Sequence, residues 1–191
     1  MLPSKIMLIM EALPLGPMLR KAIHVLLWIL TGLVVFAGLY YVIDMIMSLT
    51  YAQNPVEVIG TLISILVLLA GTAVLGIVLL FRIQDIANLN SLNYPVMQIG
   101  AHLLRMLGEV LAVVHVVAGV TIGIAHWFGA YQALPYFNSL MSRILLFASF
   151  PSFVSGLMAI LASAFQAALT IIAGYLGAEL LLLLRNLTAR K

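Results

Sequence analysis

Charge is scarce in this chain. Nine Lys or Arg and six Asp or Glu make up 8% of 191 residues, whereas 64% are hydrophobic. Residues 58–81, 110–142 and 144–178 carry no charge at all. A water-soluble domain covers its surface with roughly 25–35% charged residues, so these numbers exclude a chain dissolved in water and point to one dissolved in a bilayer. Cysteine is absent. Its absence excludes disulfide staples, thiolate metal sites and cysteine nucleophiles. The motifs HExxH, GxSxG, Walker A and GxGxxG are missing as well, and with them the commonest hydrolytic and nucleotide-binding chemistries. The net charge of +3 is scattered over helix ends rather than massed on one face, which argues against nucleic acid as a partner.

What the chain does have is long apolar runs. A helix needs about 20 apolar residues to cross the hydrocarbon core. Four stretches reach that length: residues 22–47, 58–81, 104–131, and a fourth within 152–184. The runs are continuous rather than alternating, which argues against a transmembrane barrel. The expected fold is an all-α integral membrane protein with four transmembrane helices. Three regions follow: an interfacial arm over residues 1–21, a first hairpin with its loop over 22–99, and a second hairpin over 100–191. The arm does not read as a cleaved signal, because Lys5 precedes only a short apolar run that Glu11, Pro14 and Pro17 interrupt.

Orientation follows from the basic residues. Lys5, Arg20, Lys21, Arg82, Arg105, Arg185, Arg190 and Lys191 fall on one side of the four spans, and only Arg143 falls on the other. The positive-inside rule places both termini in the cytoplasm. Tyr40, Tyr41 and Tyr51, and then Trp127, Phe128 and Tyr131, fall near the opposite membrane face, where aromatic belts settle. Short loops and this strong bias suit a bacterial inner membrane.

The two halves share a layout of helix, outer loop, helix and a following Arg, at Arg82 and Arg185. That is compatible with a parallel duplication of a two-helix hairpin. Residues 132–151 are extra in the second half. There Leu140, Met141, Ile144, Leu145 and Phe147 form one helical face before Pro151, which predicts a short amphipathic helix on the outer surface.

Ionisable residues at membrane depth are costly, so each is a functional candidate. Asp44 lies near the outer end of the first span. Glu109 lies one turn after Arg105 and is expected to pair with it at i, i+4. Glu179 lies among leucines in the fourth span, with Arg82 or Arg105 as its expected partner. As a set, Glu179, Glu109 and Asp44 are the candidates for an ion or proton path. His24 and His102 open the first and third helices at similar depth and His115 lies mid-membrane, so these three are the candidates for haem or metal ligands. Small residues supply a packing signature. Ser155, Ala159, Ser163 and Ala167 recur every four residues, and Gly119 and Gly123 form a GxxxG, spacings that let helices approach closely. Gln166, Thr170 and Thr121 are candidates for interhelical hydrogen bonds.

Two familiar four-helix layouts do not fit. A duplicated rotary proteolipid also has a carboxylate in its fourth helix. Its glycine-dense first and third helices are missing here, and its orientation is opposite. A small multidrug exporter carries its membrane Glu in the first helix, where this chain has only Asp44. The expectation is therefore a non-catalytic accessory or structural subunit of a larger membrane complex, partnered by lipid and by other subunits or copies of itself. The alternative is a small transporter or channel component using the carboxylates, and a weaker one is a haem- or pigment-binding subunit.

Overall fold

A computed structural model describes residues 15–88, 95–129 and 153–189. Four long helices make up nearly all of it. They are α1 (Leu15–Ser48), α2 (Pro55–Ala87), α3 (Pro95–Phe128) and α4 (Phe153–Ala189), with a 3₁₀ turn at Leu49–Tyr51 after α1. Each has 33 to 37 residues, a length of about 50 Å at 1.5 Å per residue. All four are long and apolar enough to cross a membrane.

The helix ends follow local chemistry rather than the limits of the apolar runs. At the start of α2 the Asn54 side chain accepts a hydrogen bond from the Glu57 N–H at 2.8 Å, and the Glu57 carboxylate accepts one from the Gln53 N–H at 2.8 Å. Pro55 occupies the first helical position, where its missing N–H costs nothing. This reciprocal cap starts α2 three residues before its uncharged run. Asn54→Ala is expected to cost about 1 kcal/mol, read as an earlier unfolding midpoint in detergent. At the other end of α2 the Asn88 N–H bonds the Gln84 carbonyl at 3.0 Å. Gly129 follows α3 with φ of 68°, the left-handed geometry that ends helices and favours glycine.

Two helices begin before the boundaries expected for their regions. Residues 15–21, assigned to the N-terminal arm, belong to α1. The division expected between residues 99 and 100 falls inside α3, which Pro95 begins. Residues 1–14 and the expected outer amphipathic helix at 132–151 lie outside the described residues.

The helices form an antiparallel row in chain order, α2 packing between α1 and α3, and α3 between α2 and α4. One end of the row, where α1 begins and α4 finishes, is called here the terminal end. The turn between α1 and α2 marks the opposite, turn end. Near the terminal end, Leu27 of α1, Leu79, Ile83 and Ile86 of α2 and Met106 of α3 form one buried cluster. Near the turn end, Val42 and Met45 meet Ile65, Leu68 and Ala125. A third, smaller cluster joins Ala118 and Ile122 of α3 to Ala159 of α4. The most extensive interface is α3 with α4, and α1 and α4 share no packed interface. The row is therefore open. Large apolar side chains such as Phe36, Leu66 and Phe165 stay about two-thirds exposed, which water would not tolerate over so much contiguous surface.

Candidate functional site

The uncharged runs of α2, α3 and α4 all break off at one level near the terminal end, at Arg82, Glu109 and Glu179 respectively. Helix packing brings these three residues together. Arg82 follows Phe81 on α2, beside the buried Ile83. Its Nε donates to Glu109 Oε2 at 2.9 Å, its Nη2 donates to Glu109 Oε1, and its Nη1 donates to Asp85 Oδ2 at 2.7 Å. Such a two-pronged arginine–carboxylate pair fixes orientation as well as charge. The Tyr175 hydroxyl of α4 donates to Glu109 Oε1 at 2.7 Å. Arg105 of α3 lies with its guanidinium 5.4 Å from the centre of the Tyr175 ring and donates to Glu179 Oε1 at 2.5 Å. The Tyr175 ring is thus sandwiched electrostatically: its hydroxyl serves one ion pair and its π-face the other.

Arg82 and Arg105 are the only Lys or Arg residues between positions 22 and 142, and both are used here. Arg82 and Glu109 are mostly buried, with 16% and 20% of their side chains exposed, whereas Glu179 at the rim is 59% exposed. The expected i, i+4 pairing of Arg105 with Glu109 does not form. Arginine preceding glutamate is the weaker order on a helix, and the two side chains serve different neighbours, Glu109 turning to α2 and Arg105 to α4. Because an arginine is a fixed cation, this layer holds charge in place and ties three helices together. Asp44, the third carboxylate candidate, is far from it, half-buried on α1 beside the turn-end cluster. Asp44 and the Arg82–Glu109 layer thus lie near opposite ends of the row.

The histidines are also dispersed. His24 and His102 lie well inside their helices rather than opening them. His24 Nε2 accepts from the Trp28 indole N–H at 3.2 Å. His115 Nδ1 is 2.6 Å from the Leu111 carbonyl and His126 Nδ1 is 2.9 Å from that of Ile122. His102 keeps a buried Nδ1 with no hydrogen-bond partner. Among the described residues no three His, Cys, Asp or Glu side chains converge on a point that a metal ion would occupy.

The seam between α3 and α4 is built on small residues. Gly119 faces Ser163 and the Ala159 backbone, and Gly123 faces Ile160 and the Gly156 carbonyl. On α4 the buried small residues are Gly156, Ala159, Ser163, Ala167 and Ala178. The stripe therefore steps by three as well as four, and Gly156 takes the place expected for Ser155, which is only partly buried. Nearer the terminal end Gly108 meets Gly174 and the Thr170 backbone. The three-and-four spacing from Gly156 through Ala167 points on to Gly174, and that was the available signal for this second contact. At the turn end the seam closes with Trp127. Its indole N–H donates to the Phe153 carbonyl at 3.0 Å, and its ring stacks on that of Phe153 at 5.5 Å. Thr121 and Thr170 do not bridge helices: their hydroxyls bond carbonyls of their own helix, at Val117 and Ala167. A threonine finds that acceptor one turn back without any neighbour.

No protein-family model matches the chain, and no curated protein or solved structure is significantly similar to it.

Proposed function

We propose that this chain is an integral membrane protein acting as a non-catalytic structural subunit of a larger multi-subunit membrane assembly. The observation that carries this reading is the open row. α1 and α4 each pack on one main neighbour, and both keep long apolar faces uncovered. The ionic layer supports it. Costly charges at membrane depth are retained where they work, and here Arg82, Glu109, Tyr175, Arg105 and Glu179 work on one another as a lock between α2, α3 and α4. In this reading the terminal end faces the cytoplasm, since Arg20, Lys21, Arg82 and Arg105 gather there and the bilayer orients by such asymmetry. A bacterial inner membrane is the proposed location.

The alternative, transport through carboxylates, draws on a single observation, the 59% exposure of Glu179. One experiment separates the two. The tagged chain is extracted from its own membrane in a gentle detergent and weighed as an intact particle, and its components are identified by mass spectrometry. Unlike chains in fixed stoichiometry are expected. A particle made of this chain alone overturns the subunit reading and makes Glu179→Gln the next variant to assay for flux.

A further inference from the structure

The two edges of the row match each other. On α1 the exposed residues Val25, Ile29, Phe36, Tyr40 and Met47 form one stripe, and on α4 Leu176, Ile172, Phe165, Leu161 and Val154 form another. The intervals are the same in both, 4, 7, 4 and 7, when α1 is read forward and α4 backward. An 11-residue repeat of this kind averages about 3.67 residues per turn, so each stripe follows its helix almost straight. Both stripes start beside a charge at the terminal end, and the charges are opposite. Exposed Lys21 lies four residues before Val25 and makes no ion pair with any described residue. Glu179 lies three residues after Leu176, and its pairing with Arg105 engages one oxygen, leaving acceptor sites on a carboxylate that has about four. Counted from these charges, the two stripes stay one residue apart along their whole length.

We propose that copies of this chain join head to tail in the membrane, the α4 edge of one copy packing on the α1 edge of the next, with Lys21 of one copy meeting Glu179 of the other. The proposal rests on the membrane reading above, which makes every copy insert in the same direction. Under that constraint α4 runs opposite to α1, so the contact extends the up-and-down alternation of the row across the boundary between copies. The two surfaces differ, so the contact is heterologous and leaves a free α1 edge and a free α4 edge on each pair. Growth then continues until an unlike subunit caps the row.

The absence of cysteine gives a clean background for a test in native membranes. Cysteines are introduced as Val25→Cys and Leu176→Cys, singly and together, and the membranes are oxidised. A disulfide requires Cα atoms within about 7 Å, and α1 and α4 of one chain do not pack together. The double variant is expected to give a ladder of dimers, trimers and higher species, and each single variant none. A dimer from Leu176→Cys alone overturns the proposal in favour of a two-fold contact between α4 helices. No ladder at all overturns it in favour of lipid or an unlike chain on the edges. Adding Lys21→Glu to the double variant is expected to reduce the ladder several-fold while Lys21→Arg leaves it intact; an undiminished ladder with Lys21→Glu overturns the ionic register. An alkaline carbonate wash beforehand separates the two levels of the argument. Release of the chain overturns the membrane reading, whereas a retained chain without a ladder overturns only the head-to-tail contact.

Discussion

Arg82→Met is expected to destabilise the folded chain by about 3–5 kcal/mol, the usual cost of removing one partner from a buried ion pair. The reason is what remains behind. Glu109 loses both prongs of its guanidinium and stays mostly covered, with only the Tyr175 hydroxyl donating to it. The cost falls on the desolvated charge left over rather than on the attraction lost, so the sign should reverse with a second change. Arg82→Met combined with Glu109→Gln removes the stranded charge, and Tyr175 still has an oxygen to bond. The double variant is expected to recover most of the loss. Glu179→Gln is expected to cost less than about 1 kcal/mol, because that pair sits at an exposed rim. Unfolding midpoints of the four proteins in one detergent check the order. A double variant no more stable than Arg82→Met would show that Arg82 holds α2 against α3 by its packing and not by its charge.

The contrast between Arg82 and Glu179 also marks where sequence reasoning stops. The presence and rough extent of the four helices are legible from hydropathy alone, because an uncharged run of twenty residues has few other uses. The level of the ionic layer is legible too, since three runs break off at charged residues. The pairing is not. Arg105 and Glu109 invite pairing along one helix, and only the placement of α2 and α4 shows that each turns to a different neighbour. Tyr175 gives no signal in the sequence, because an aromatic residue at that depth reads as a lipid-facing one. The open order of the row is likewise invisible: four apolar helices of equal length fit a closed bundle equally well, and the choice depends on which faces carry small residues.

Those small residues give the other large effect, and it has opposite signs at different glycines. A methyl group added at Gly108 would lie 2.7 Å from the Thr170 carbonyl oxygen and 3.2 Å from the Gly174 Cα. Both obstacles are backbone of α4, which can yield only if the whole helix moves. Gly108→Ala is therefore expected to destabilise by about 1–3 kcal/mol, as overpacking does. Gly174→Ala should behave alike, since its methyl would lie 2.7 Å from the Leu104 carbonyl oxygen. Gly32 and Gly76 have nothing within 4 Å of that position. There alanine removes only the entropy penalty of a helical glycine, so Gly32→Ala and Gly76→Ala are expected to stabilise by about 0.5–1 kcal/mol. Gly119→Ala is expected to cost at least as much as Gly108→Ala, because its methyl would collide with the Ser163 Cβ, which moves only with the α4 backbone, and would lie 3.0 Å from the Ala159 carbonyl oxygen. All five variants make the same chemical change in the same kind of element, so helix propensity cancels in the comparison and the remaining difference reports backbone approach. If Gly108→Ala unfolds no earlier than Gly76→Ala, α3 and α4 do not touch at their backbones near the ionic layer. Arg105 would then have to span a wider gap to reach Glu179, and the lock between the helices would be looser than the geometry described here.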